Sequence, residues 1–131
     1  MDILRIGKIS SVNYADGTAR VLYTDRDNAV TAELPLLSAE YYMPQPDDVV
    51  LVAHLPNGAE AGIVLGRFWC DGNRPPESGA GLYRKDLSRE GDCFIKCQNG
   101  EMTIHCPGGI HIKGDVTVDG NITATGTING A

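Results

Sequence analysis

Ile110-His111-Ile112-Lys113-Gly114-Asp115 is followed directly by Val116-Thr117-Val118-Asp119-Gly120-Asn121, Ile122-Thr123-Ala124-Thr125-Gly126-Thr127 and the partial unit Ile128-Asn129-Gly130-Ala131. The unit reads apolar, polar, apolar, polar, Gly, polar, and Gly114, Gly120 and Gly126 keep one register. A fixed period of six residues marks a repeat architecture. Each unit predicts a three-residue strand with two apolar side chains on one face and polar ones on the other. The glycine lets the backbone bend sharply before the next strand.

The resulting stripe is Ile110, Ile112, Val116, Val118, Ile122, Ala124 and Ile128. Left in water, it costs about 1.5–3 kcal/mol for each large aliphatic side chain, and it presents unpaired strand edges. A single-chain β-helix of hexapeptides uses about three units per coil and several stacked coils. Here the units make little more than one coil, which would enclose no interior. Three chains wound about one axis, each supplying one wall of a triangular prism, close the same stripe with few repeats. The seven residues are therefore expected to form the core of an intertwined, trimeric triple-stranded β-helix spanning 93–131.

Just upstream, Cys93, Ile95 and Cys97 alternate with Phe94 and Lys96, and Asn99-Gly100 turns the chain. Met102, Ile104 and Cys106 then alternate with Thr103 and His105 before Pro107-Gly108-Gly109 turns it again. Residues 71–81 lack apolar periodicity and contain the consecutive prolines Pro75 and Pro76. They mark a boundary, so 71–92 reads as a linker with transition strands.

Residues 1–70 have a different texture. β-rich runs at 3–12, 18–24 and 29–34 are separated by turn chemistry, first around Asp16-Gly17 and then at Asp25-Arg26-Asp27-Asn28. Pro35, Pro44 and Pro46 forbid regular pairing, and one short helical turn is expected within 36–43. Two more strands follow at 48–55 and 61–68, joined by a turn at Pro56-Asn57-Gly58. Five strands with a long connection between the third and fourth suit an OB-like five-stranded barrel. The fold class is thus all-β: an N-terminal barrel, then a needle. The 131 residues, 42% hydrophobic with one Trp, five Tyr and two Phe, suffice for one modest core rather than two.

Composition also excludes function classes. A formal net charge of −6, with 11 scattered basic residues, argues against a nucleic-acid surface. OB barrels that bind oligonucleotides place aromatic platforms in a positive groove. Tyr14, Tyr23, Tyr41 and Tyr42 lie instead near Asp25, Asp27, Asp47 and Asp48. His54, inside an apolar run, reads as a satisfied barrel residue. No apolar stretch approaches the ~18 residues of a membrane span. Met1-Asp2-Ile3 enters a strand-like pattern directly, so synthesis in the cytoplasm without a signal peptide is expected.

The four cysteines, Cys70, Cys93, Cys97 and Cys106, are expected to be buried free thiols. A zinc set of Cys93, Cys97, His105 and Cys106 matches no common ligand spacing. No nucleophile elbow or metal-binding motif frames a catalytic residue, and no cofactor is expected. The best enzymatic alternative, a hexapeptide acyltransferase, would need more coils and a catalytic His, for which only His105 and His111 are candidates.

Ile6-Gly7-Lys8-Ile9, Ala32-Glu33-Leu34-Pro35-Leu36-Leu37, Leu55-Pro56-Asn57-Gly58 and Gly62-Ile63-Val64-Leu65-Gly66-Arg67-Phe68, with the repeat units from Gly114 to Thr123, carry a resemblance. They resemble the baseplate assembly protein V, or central spike, family of contractile phage tails and related bacteriocins. The resemblance implies a homotrimer in the virion tail baseplate or a phage-like particle. Its OB domain would face the tail-tube and baseplate proteins, and its β-helix would be driven into the target cell envelope by sheath contraction. Some members end in a His-x-His motif that binds iron at the apex. This chain lacks it: His105 and His111 are six residues apart and expected to face solvent. With no distinct cap after Ile128-Asn129-Gly130-Ala131, a separate tip protein is the expected partner.

Overall fold

The computed structural model describes residues 3–56 and 61–130, so the expected Asn57-Gly58 turn lies outside the described residues. The chain divides into two compact units, the first ending at Glu77 and the second beginning at Ser78. Every regular element among the described residues is a strand, and the two sheets are antiparallel.

The first unit contains β1 (Leu4–Asn13), β2 (Thr18–Tyr23), β3 (Ala29–Val30), β4 (Leu34–Pro35), β5 (Val49–His54) and β6 (Gly62–Arg67). The sheet order is β3-β2-β1-β5-β6, with β4 also pairing β2. Sequence alternation sets which side chains are inside. Ile9 of β1, Ala19, Val21 and Tyr23 of β2, Leu34 of β4, Val50 and Val52 of β5, and Val64 of β6 form one buried cluster. Odd and even positions of each strand fall on opposite faces, so these residues meet without a helix to cover them.

Two bulges bend this sheet. Ser10 is the extra residue between the pairs Ile9–Val21 and Ser11–Arg20, and Leu65 is the extra residue between Leu51–Gly66 and Val52–Val64. Bulges increase local twist and let a sheet curl. The segment after β3 links the two flanks: Leu34 pairs with Ala19 of β2, and Leu36 forms a parallel bridge with Val64 of β6. The amide of Leu37 donates to the Val64 carbonyl at 2.8 Å.

Three expectations need correction here. The run 29–34 is two short strands rather than one. Thr31 divides it, because its hydroxyl accepts the Val21 amide at 3.0 Å and donates to the Ala32 carbonyl at 2.7 Å, replacing a ladder bond. Pro35 takes part in pairing, opposite Thr18, at the end of a two-residue strand where its missing donor is harmless. The helical turn expected within 36–43 is absent: Leu36 and Leu37 bind Val64, and the Ser38 hydroxyl captures the Glu40 amide.

The second unit has one sheet of β7 (Tyr83–Asp86), β8 (Phe94–Gln98) and β9 (Glu101–His105), in that order. Among the described residues, none of the buried hydrophobic core lies in this unit.

Candidate assembly surface

Strands β8 and β9 are joined by Asn99 and Gly100, whose φ angles of 55° and 78° are those of a two-residue hairpin turn. Directly opposed residues in an antiparallel sheet project to the same side. The register therefore places Tyr83, Cys97 and Met102 in one row and Lys85, Ile95 and Ile104 in the next, all on one face. Cys93 and Cys106 continue that face one step beyond the ladder, with their sulfurs 3.3 Å apart.

The opposite face satisfies itself. The Arg84 guanidinium lies 3.8 Å from the Phe94 ring centroid and donates to Asp86 at 2.9 Å and to the Gly91 carbonyl at 2.9 Å. His105 stacks on Phe94 at a centroid distance of 5.2 Å, and its Nδ1 lies 2.7 Å from the Asp92 carbonyl oxygen. Among the described residues, the apolar face stays largely open. Tyr83, Met102 and Ile104 are 59, 64 and 51% exposed.

Beyond the turn closed by the Gly109 amide on the Cys106 carbonyl, the repeat begins. Bends recur at Gly114, at Asp119–Gly120 and at Thr125–Gly126, the same six-residue spacing as the sequence. Gly114 and Gly120 adopt φ of 122° and 147°, values that L side chains rarely reach. Between the bends no ladder forms, so the expected three-residue strands are not made by one chain alone. A strand needs a hydrogen-bonding neighbour, and residues 110–130 form no ladder with any other of the described residues.

The predicted core residues are accordingly uncovered. Ile110, Ile112, Val116, Val118, Ile122 and Ile128 range from 47 to 72% exposed, and Ala124 is exposed as well. Polar residues of the repeat are equally open, so the single chain does not distinguish the two faces. What distinguishes them is chemistry: six large aliphatic side chains and one Ala at matching positions of each unit.

The second unit carries an apolar face outside the repeat as well. Tyr83, Ile95, Met102 and Ile104 add an apolar sheet face on the same unit, and the alternation of 93–97 and 102–106 was the signal for it. The residues considered for other chemistry are dispersed. Cys93 meets Cys106, whereas His105 belongs to the opposite face and Cys97 pairs with Met102. Cys97 is exposed and the other three thiols are half-buried, which corrects the expectation of buried cysteines. A strand that pairs on both sides still leaves one face to be covered. Among the described residues no three His, Cys, Asp or Glu groups are placed to hold a metal ion.

In the first unit, Tyr23 turns inward and its hydroxyl lies 2.6 Å from Nε2 of His54, so it is not a surface platform. Arg5 covers the Tyr23 ring at 4.1 Å and pairs with Asp25 at 2.8 Å. Tyr14 and Tyr41 are exposed, and the Tyr41 hydroxyl donates to the Tyr14 carbonyl. His111 is exposed.

The chain matches no protein-family model and no curated protein.

Proposed function

We propose that this protein is the homotrimeric central spike of a contractile phage tail or phage-like particle, with a structural rather than a catalytic role. The observation that carries the reading is the period-six apolar stripe from Ile110 to Ile128, bent at its glycines and uncovered in the single chain. Three such chains wound together bury Ile110, Ile112, Val116, Val118, Ile122, Ala124 and Ile128 around one axis and give each short strand a partner. The resulting triple-stranded β-helix is a column of inter-chain hydrogen bonds, stiff enough to pierce an envelope.

The first unit supports the same reading. Its β1 pairs with both β2 and β5, β5 pairs with β6, and the segment of Leu34 to Leu37 joins β2 to β6 through a parallel bridge. That connectivity suits a five-stranded Greek-key barrel of the OB type. In the spike, this unit joins the tail tube and baseplate proteins, and the repeat unit meets a separate tip protein and the target cell envelope. The net charge of −6 and the inward orientation of Tyr23 favour a protein-binding barrel over a nucleic-acid-binding one.

Light scattering of the purified full-length protein tests the proposal. A mass of three chains that persists on dilution is expected. A well-folded monomer at micromolar concentration overturns it.

A further inference from the structure

We propose that Cys93 and Cys106 are a redox-closable pair that forms a cross-strand disulfide at the base of the β8–β9 hairpin. The position follows from the register. Asn99-Gly100 is a two-residue turn flanked by the pair Gln98–Glu101, and the ladder runs through Cys97–Met102, Lys96–Thr103, Ile95–Ile104 and Phe94–His105. Hydrogen-bonded and non-hydrogen-bonded pairs alternate along such a ladder, starting hydrogen-bonded next to a two-residue turn. Cys93 and Cys106, the next pair, fall at a non-hydrogen-bonded site. There the Cα atoms lie about 4.5 Å apart, inside the range of about 4.4–6.8 Å that a disulfide spans.

The side chains are already turned toward each other. The Cys93 thiol donates to the Cys106 sulfur at 3.3 Å, so bond formation needs an approach of roughly 1.3 Å, within reach of small rotations of the two side chains. The backbone around the pair is anchored. The Leu87 amide donates to the Cys93 carbonyl at 2.8 Å, the Cys93 amide donates to Ser88 Oγ at 3.1 Å, and the Gly109 amide holds the Cys106 carbonyl at 2.9 Å. The hydrogen bond to Cys106 also holds the Cys93 thiol above its ordinary pKa, which lowers the fraction of Cys93 present as the reactive thiolate. Cys97 shares the face but lies opposite Met102, and Cys70 belongs to the other unit. Cys97, four residues along the strand from Cys93, does not compete for the bond.

The oxidant is a small disulfide such as oxidised glutathione. One cysteine, as thiolate, attacks a sulfur of that disulfide and expels the first small thiolate, leaving a mixed disulfide. The second cysteine, having lost its proton, attacks the protein sulfur of the mixed disulfide and expels the second. The protein loses two protons and two electrons, and the small disulfide is reduced to two thiols. A reducing medium leaves the hairpin open at its base, and an oxidising medium staples it, constraining residues 94–105 in the unfolded chain.

The test treats full-length protein with excess oxidised glutathione, once in the native state and once during refolding from urea. Intact mass, thiol titration and peptide mapping are then read. A loss of 2 Da and of two of the four thiols is expected in at least one arm, with a peptide linkage between Cys93 and Cys106, reversed by reduced glutathione. The double variant Cys70→Ser/Cys97→Ser should still close, whereas Cys106→Ser should stop at a mixed disulfide. Unchanged mass in both arms, or a linkage through Cys70 or Cys97, overturns the assignment.

Discussion

The Tyr23 hydroxyl and Nε2 of His54 share a 2.6 Å hydrogen bond across the first unit, with the Tyr23 ring packed beneath Arg5. The bond joins β2 to β5, strands that are not neighbours in the sheet but lie on either side of β1. Tyr23 is 4% exposed, so the phenol has left water and depends on this partner. Tyr23→Phe should therefore cost about 1 kcal/mol of unfolding free energy, as a typical net hydrogen bond does. Urea denaturation near neutral pH reads it.

The same burial carries a pH dependence. Burial pushes the Tyr23 phenol above its usual 10.0, with Arg5 opposing and Asp25 reinforcing the shift. The folded state thus keeps the proton to higher pH than the unfolded chain does. The stabilisation from holding the neutral phenol is complete below about pH 10 and is lost as pH rises through the folded pKa. Wild type should exceed Tyr23→Phe in stability at about pH 8, and the gap should narrow by about pH 11. A gap independent of pH in paired urea titrations would remove Tyr23 as the titrating group.

Gly7→Ala and Gly66→Ala should both destabilise the first unit, for different reasons. A Cβ on Gly7 would sit 2.5 Å from Val21 Cγ1 and 2.8 Å from the Tyr23 ring, an overpacking cost of about 1–3 kcal/mol. At Gly66 nothing lies within 4 Å, but φ is 131°, and the strain costs about 1–3 kcal/mol. The two are separable: adding Val21→Ala should partly rescue Gly7→Ala and leave Gly66→Ala unchanged, as thermal melts of the double variants will show.

If three chains form the proposed needle, Val116→Asp or Val118→Asp should block its assembly, because three carboxylates would converge at one level of an apolar core. Thr117→Lys, on the face that the proposed needle turns outward, should be tolerated. The readout is particle mass by light scattering. Trimer mass and an unchanged melting temperature in either Asp variant would count against the needle.

Ile104→Ser tests the sheet face that precedes the repeat. Ile104 is already 51% exposed in the single chain, so a monomer should change by no more than about 0.5 kcal/mol. If the face packs against other copies, the loss approaches about 1.5–3 kcal/mol per chain. Concentration-dependent urea unfolding distinguishes the two, with Thr103→Ser on the opposite face as the control.

Much of this protein is legible one residue after another. The turn at Asn99-Gly100, the alternation of 93–97 and 102–106, and the bends at Gly114, Gly120 and Gly126 follow from local rules of φ and of period-two facing. The splitting of 29–34 was not legible, because it depends on the Thr31 hydroxyl reaching the amide of Val21, ten residues away. Nor was the pairing of Pro35, since proline's exclusion from sheets is relaxed only where the chain end of a short strand is seen in place.

Local chemistry alone therefore specifies the all-β class and an aliphatic stripe of period six, since periodicity and glycine placement are written residue by residue. Tertiary contact was needed to bring Leu36 to Val64, Tyr23 to His54 and Cys93 to Cys106, and to reveal Tyr83, Ile95, Met102 and Ile104 as one face. Those meetings depend on strand register, and a shift of one residue would send every side chain to the other side of its sheet.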